Sequence, residues 1–250
     1  KSKLITASRI YFIENFKARE TAMKKKYKIN ACNNIQELSK KTNALLVAIK
    51  PQQLGEMLAE LSSDYNKQLI ITIVAGIQTK FYTKHLGKQA KIARVMPNTP
   101  ALLGVGATAL YFTSNLKAAD KKTATSIFDC VGITVALKKE SELDIVTAVS
   151  GSGPAFVYQF AQSLISAGTK LGLNAAVCKQ LVLQTLLGAT QMMINSKDSP
   201  DELTKKVTSK KGTTDAGLQE LRKKGFTQVI KACIQRAAKR AKELSQEFGA

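Results

Sequence analysis

The side chains that ordinarily do enzyme chemistry are scarce and scattered in this sequence. His85 is the only histidine, and it follows Lys84 on a short polar stretch with the pattern of a solvated helix face. Cys32, Cys130, Cys178 and Cys233 lie far apart, with no C-x-x-C pair and no histidine placed to complete a zinc site. They read as reduced core thiols of a protein inside a cell, and no metal site is expected. What remains is hydroxyls, amides and backbone N–H groups. The densest set is Ser209, Thr213 and Thr214 around Gly212, just ahead of a helix expected from about residue 214 to 223. Amides at a helix start have no partner within the helix, and a glycine lets them turn toward a ligand, so this set suits a small anion. An N-terminal cap made by the same hydroxyls is the alternative. A second set is Met96-Pro97-Asn98-Thr99-Pro100. There two prolines fix an extended turn from which Asn98 presents an amide without backbone drift.

Such groups need a frame, and the apolar pattern supplies one. Up to residue 137 short apolar runs alternate with amphipathic stretches of helical length, the pattern of parallel strands joined by crossover helices. Strands are expected at 4–7, 45–49, 69–74, 92–96 and 133–137, with a helix over 52–61 started by Pro51. After Glu140 the strands stop. Long helices follow, with Pro154 opening one, Gly172 closing it, Asn174 capping the next and Ser199-Pro200 starting another. Their apolar residues (Phe156, Phe160, Leu164, then Leu181, Leu186, Met193) need burial on more than one side, against each other or a second subunit. The fold class is α/β: a Rossmann-type parallel sheet domain over 1–140, then an all-helical domain over 141–250.

Ligands of an open parallel sheet bind at the carboxyl ends of its strands. The expected strand at 4–7 reads as the second of a dinucleotide-binding unit, so the first strand and its glycine-rich turn are expected upstream, in roughly 25 further residues. No G-x-G-x-x-G occurs in the sequence. At the end of the second strand an acidic residue would accept the ribose hydroxyl of NAD and a basic one would accommodate the 2′-phosphate of NADP. The expected position holds Ser8 and Arg9, a hydroxyl and a guanidinium, which favours NADP. Ala48, Lys50 and Ala75 fall at or just after the ends of two further strands, where small residues would let a cofactor approach the backbone. Plain strand packing for the alanines and a solvated turn for Lys50 are the alternatives.

Three segments together carry a specific resemblance: Arg94-Val95-Met96-Pro97-Asn98-Thr99-Pro100, Ser150-Gly151-Ser152-Gly153-Pro154-Ala155 and Val207-Thr208-Ser209-Lys210-Lys211-Gly212-Thr213-Thr214. With the weaker Ala48-Ile49-Lys50-Pro51, and in this order and spacing, the chain resembles the pyrroline-5-carboxylate reductases over essentially its whole length. The resemblance implies hydride transfer from NADPH to the C=N carbon of pyrroline-5-carboxylate, giving proline. It implies a helical domain that dimerises by interleaving and often builds larger rings. It places Ala48, Lys50, Ala75 and an asparagine near Asn34 beside the dinucleotide, and Asn98 near nicotinamide and substrate. Ser209 with the amides of Gly212 and Thr213 would hold the substrate carboxylate, and the Thr214 hydroxyl would bond the ring nitrogen as the catalytic contact. Helix capping explains Asn34 equally well. Where the family usually has proline and glycine after the serine, this chain has Lys210 and Lys211, which allows a different loop path.

Composition sets limits on these readings. The 38 Lys+Arg against 18 Asp+Glu give +20, enough to attract anions at long range. The densest basic runs, at 24–26 and 222–224, lack the interleaved aromatics of a single-strand nucleic-acid platform, so no nucleic-acid partner is expected. No apolar run approaches a membrane span, and a cytoplasmic protein with no membrane partner is expected. Two rival readings stay open. A hydroxy-acid dehydrogenase relative would use a lysine and asparagine on the first long helix, where this chain has Tyr158, Gln159 and Gln162 with Lys170 near the end. An inactive basic binding protein with a degenerate reductase fold would follow if the glycine turn were absent altogether.

Overall fold

The structure is a computed structural model that describes residues 4–248. Its first strand forms from strand-favouring side chains at Tyr11–Phe12 (β1), which pairs in parallel with Asn30–Ala31 (β2) across a helix, Lys17–Tyr27 (α1). The strand expected at 4–7 is not there. Residues Ala7–Arg9 make a single 3₁₀ turn instead, held by the Asn30 side-chain amide, which donates to the carbonyls of Ser8 and Ile10. Helix Ile35–Lys41 (α2) follows, then Ala44–Val47 (β3), Leu54–Ser62 (α3), Leu69–Thr72 (β4), Thr79–Leu86 (α4), Lys91–Met96 (β5), Gly106–Phe112 (β6), Ala118–Asp129 (α5) and Gly132–Ala136 (β7). The five strands β3 to β7 lie side by side in chain order, parallel except where β6 runs antiparallel to β5. That antiparallel strand departs from the wholly parallel sheet expected, and a connection of nine residues containing the Thr99–Leu103 turn reverses the chain.

β4 shows why the sheet needs two covering layers. All four of its residues are buried, Ile70 into a cluster with Leu45, Val47, Leu54, Leu58, Leu61 and Tyr82, and Leu69 and Ile71 into one with Val95, Leu110, Ala124 and Phe128. Successive residues of a strand face opposite sides, so this is a central strand sandwiched between α3 and α4 on one face and α5 on the other. Leu54, Leu58 and Leu61 recur at helical spacing and are fully buried, each worth about 1.5–3 kcal/mol relative to exposure. On β3, by contrast, Leu46 is exposed between buried Leu45 and Val47, and the β1–β2 pair is not hydrogen-bonded to this strand.

By chain contacts the protein divides into two units, residues 1–152 with 237–250 and residues 153–236. The first contains both sheets, a short helix Glu142–Val146 (α6) and a π-helical turn at Thr147–Gly151 closed by Ser152 N–H on the Thr147 carbonyl at 2.8 Å. It also contains the last turns of helix Phe226–Phe248 (α11), whose Phe248 packs on the first core cluster. The second unit holds Gly153–Lys170 (α7), Ala175–Asn195 (α8), Pro200–Lys206 (α9), Thr213–Lys223 (α10) and the start of α11. Asn174 caps α8 by accepting from the amides of Ala176 and Val177, and Ser199 caps α9 in a reciprocal box with Glu202. Inside this unit α7 and α8 bury only Ala161 and Cys178. Tyr158, Leu181, Leu187 and Ile194 stay more than half exposed.

Candidate active site

The parallel register of β3, β4 and β5 pairs Val47 with Thr72 and Thr72 with Arg94, so the chain leaves all three strands along one edge of the sheet. Ala48 and Lys50 follow β3 there, and both are exposed. Lys50 makes no ion pair among the described residues, and Pro51 behind it starts a 3₁₀ turn. After β4 come Ala75, exposed, and Gly76, buried with a φ of 75°. A Cβ at residue 76 would meet the Leu244 carbonyl oxygen at 3.3 Å, so glycine is required both by the backbone angle and by the closeness of α11. These residues leave an open edge with small side chains and one cation, a donor set that suits a phosphate-bearing cofactor.

Ser8 and Arg9 do not join this edge. They precede β1, at its amino end, so the strand-end argument for them falls. The residues that follow β1 are Ile13, Glu14, Asn15, Phe16 and Lys17. The run Ile10-Tyr11-Phe12-Ile13 is the stronger strand signal, and reading it first would have moved the expectation to the right place. Asn34 is the N-cap of α2, its side-chain oxygen accepting from Glu37 N–H at 2.8 Å. The Glu37 carboxyl is held below its usual pKa by the Asn33 amide and then by Lys41.

Asn98, at the exit of β5, is fixed at both ends of its amide. Its oxygen accepts from Ala107 N–H at 2.9 Å, and its nitrogen donates to the Ser150 carbonyl at 3.3 Å and hydroxyl at 3.2 Å. Ser150 sits in the π-turn, a feature that recurs at functional sites because it opens the helical hydrogen-bond ladder. Within β5, two residues before its end, Arg94 is buried and pairs with Glu140 at 3.1 Å and Asp144 at 3.8 Å. Glu140 also accepts from the amide and hydroxyl of Thr79, both at 2.7 Å, and Asp144 accepts from the Ser245 hydroxyl at 3.2 Å. The cluster ties β5, α4, α6 and α11 together beneath Asn98. Sequence reading missed it, because its bonds join residues as much as 101 positions apart.

In the helical unit, α10 starts where expected. Ser209 and Gly212 form a turn, Gly212 N–H donating to the Ser209 carbonyl at 3.0 Å, and a Cβ at 212 would run into the Ser209 hydroxyl. No side chain caps the helix, and Ser209, Thr213 and Thr214 are exposed, so three hydroxyls stand beside unpartnered first-turn amides. Lys211 takes a φ of 61°, the left-handed conformation that a glycine adopts freely, while its N–H donates to Asp215 at 3.1 Å.

A sheet parallel over β3 to β5, with small residues after its strands and helices following, is the architecture of α/β nucleotide-binding proteins with a helical unit. Residues 140–244 match the family described as pyrroline-5-carboxylate reductase dimerisation, and residues 2–76 the one described as NADP oxidoreductase coenzyme F420-dependent. Pyrroline-5-carboxylate reductase 2 of Bacillus subtilis is 34% identical over 90% of this chain and 81% of its own. The pyrroline-5-carboxylate reductase of Pseudomonas aeruginosa is 38% identical over 83% and 76%. Among solved structures, the Plasmodium falciparum pyrroline carboxylate reductase with NADP bound has a TM-score of 0.86 at 32% identity, covering 97% of this chain and 90% of that one. The pyrroline-5-carboxylate reductase of Coxiella burnetii reaches 0.90 at 30% identity, over 96% and 89%. The chain belongs to the pyrroline-5-carboxylate reductase family. Among the described residues no cluster of ligating side chains could hold a metal ion, and no helix is long and apolar enough to cross a membrane.

Proposed function

We propose that the protein reduces 1-pyrroline-5-carboxylate to L-proline with NADPH. The observation that supports this reading is the start of α10, where the hydroxyls of Ser209, Thr213 and Thr214 are exposed beside first-turn amides that no side chain caps. NADPH, held at the strand edge by Ala48, Lys50 and Ala75, supplies the hydride; this chain supplies binding and orientation, and no side-chain nucleophile is needed. The Ser209 hydroxyl and the Thr213 amide hold the substrate carboxylate, and the Gly212 N–H joins them only by leaving the Ser209 carbonyl on which it sits at 3.0 Å. The Thr214 hydroxyl accepts a hydrogen bond from the protonated ring nitrogen, steadying the iminium that a hydride attacks, and the ring nitrogen takes its proton from solvent. Asn98, immobilised by Ala107 and Ser150, keeps the exit of β5 rigid.

The exposed apolar faces of α7 and α8 support self-association as a dimer, with larger rings built from it, and the match of residues 140–244 to a dimerisation family agrees with this. The test of the reaction is NADPH oxidation by the full-length protein with pyrroline-5-carboxylate, with proline identified as product. A folded protein that oxidises no NADPH under these conditions would refute the reading.

A further inference from the structure

The loop that carries the Ser209 hydroxyl is a tight turn. Gly212 N–H donates to the Ser209 carbonyl at 3.0 Å, with Lys210 and Lys211 in the two central positions. Of these two only Lys211 has a positive φ, 61°. That is the pattern of a type II turn, for which proline at the first central position and glycine at the second are the favoured residues. This chain has lysine at both, so neither residue pre-sets the turn, and the left-handed φ is one that a Cβ disfavours. One contact holds it. Lys211 N–H donates to the Asp215 carboxylate at 3.1 Å, and neither lysine side chain makes a hydrogen bond or ion pair among the described residues. Asp215 is partly buried in the first turn of α10. A carboxylate at the third residue of a helix ordinarily reaches back to the N-cap amide. Here the N-cap is Gly212, whose N–H is already taken, and the carboxylate binds the residue before it. The Ser209 hydroxyl sits against Gly212, where it would meet any Cβ, so its direction depends on this turn keeping its shape.

We propose that Asp215 is a positioning residue for substrate binding: by taking the Lys211 amide it holds the turn at 209–212 in the shape that presents the Ser209 hydroxyl and the Thr213 amide to the substrate carboxylate. A side-chain contact thus does here what proline and glycine would do through their own backbone limits. This deepens the reductase reading and rests on it. The contact needs an acceptor at residue 215 and no charge there, and a glycine at residue 211 removes the need for it.

The test is steady-state kinetics of the full-length protein at saturating NADPH, with hydrogen exchange over 209–215 measured alongside, for the parent, Asp215→Ala, Asp215→Asn, and Asp215→Ala combined with Lys211→Gly. Asp215→Ala should raise KM for pyrroline-5-carboxylate about three- to tenfold, leave kcat and the KM for NADPH within about twofold of the parent, and speed exchange over 209–212. Asp215→Asn, which keeps the acceptor, should stay within about twofold of the parent, and the double variant should regain most of the lost KM. An unchanged KM in Asp215→Ala would overturn the inference. So would an Asp215→Asn variant as impaired as the alanine, the mark of a role for the charge, or a double variant with no recovery. If the folded parent turns over no pyrroline-5-carboxylate, the reductase reading fails and the positioning role with it, whereas exchange unaltered by Asp215→Ala in an active parent sinks this inference alone.

Discussion

At the scale of single residues, the proposed chemistry turns on one hydroxyl and one immobilised amide. Thr214→Ala removes the acceptor for the ring N–H, and kcat with pyrroline-5-carboxylate should fall about tenfold or more, a loss of ~1.4 kcal/mol or greater in transition-state stabilisation. Thr214→Ser keeps the oxygen and should restore most of the rate, which a packing role for the methyl would not allow. The loop beside it gives a stability prediction. Lys211 holds a left-handed φ of 61° at a cost of about 1 kcal/mol, so Lys211→Gly should raise the urea midpoint slightly with an unchanged m-value. The sequence resemblance anticipated a glycine there and allowed a changed loop path; the left-handed lysine keeps a path open to glycine. The hydroxyl set was legible because its members sit within six positions around a helix start. The place of the first strand was not. Residues 4–7 and residues 10–13 are both short apolar runs; the second, richer in β-branched and aromatic side chains, is the one that pairs with β2.

At the scale of elements, the buried Arg94 cluster decides whether the strand edge keeps its shape. Arg94→Leu would strand Glu140 and Asp144 without their cation, and unfolding stability should drop by about 3–5 kcal/mol by chemical denaturation. Gly76→Ala combines a positive φ with a Cβ pressed on the Leu244 carbonyl, and about 1–3 kcal/mol should be lost, with NADPH affinity falling as the adjacent Ala75 shifts. α9 adds a pH-dependent term. Its Glu202 carboxyl is held below the usual range by the Ser199 hydroxyl and amide. The stabilisation from this box is therefore complete above the unfolded carboxylate pKa and is lost as pH falls through the lower folded value. An NMR titration should find the Glu202 midpoint below that of an unstructured glutamate, and Ser199→Ala, which keeps the amide, should raise it only part of the way back. Long elements were read correctly from period and caps: β3, β4, β5 and β7, and the starts of α7, α8 and α9. The two-residue strand β2 is too short to carry a pattern, and β6 hides its direction, since a strand's sequence does not say which way its neighbour runs.

At the scale of the whole molecule, the helical unit leaves more apolar surface uncovered than a solitary chain would tolerate. α8 carries Lys179 as its only charged residue and buries only Cys178 within its own chain. Sedimentation of the full-length protein at micromolar concentration should show a dimer or a larger closed assembly and no monomer, and Leu187→Glu together with Ile194→Glu should release monomer or precipitate. That the helices wanted partners was visible in their broad apolar stripes, but that the sheet unit is discontinuous was not, because nothing local in residues 237–250 distinguishes them from the rest of α11. This discontinuity bears on how the protein is made. A ribosome delivers residues 1–152 first and then spends several seconds, at ~5–20 residues per second, on the helices between. Throughout that interval the turn at Gly76 lacks Leu244 above it, Asp144 lacks Ser245, and the first core cluster lacks Phe248. A chain that stopped at residue 236 would thus have every described strand in place and its turn at Gly76 bare, a natural substrate for the cell's proteases.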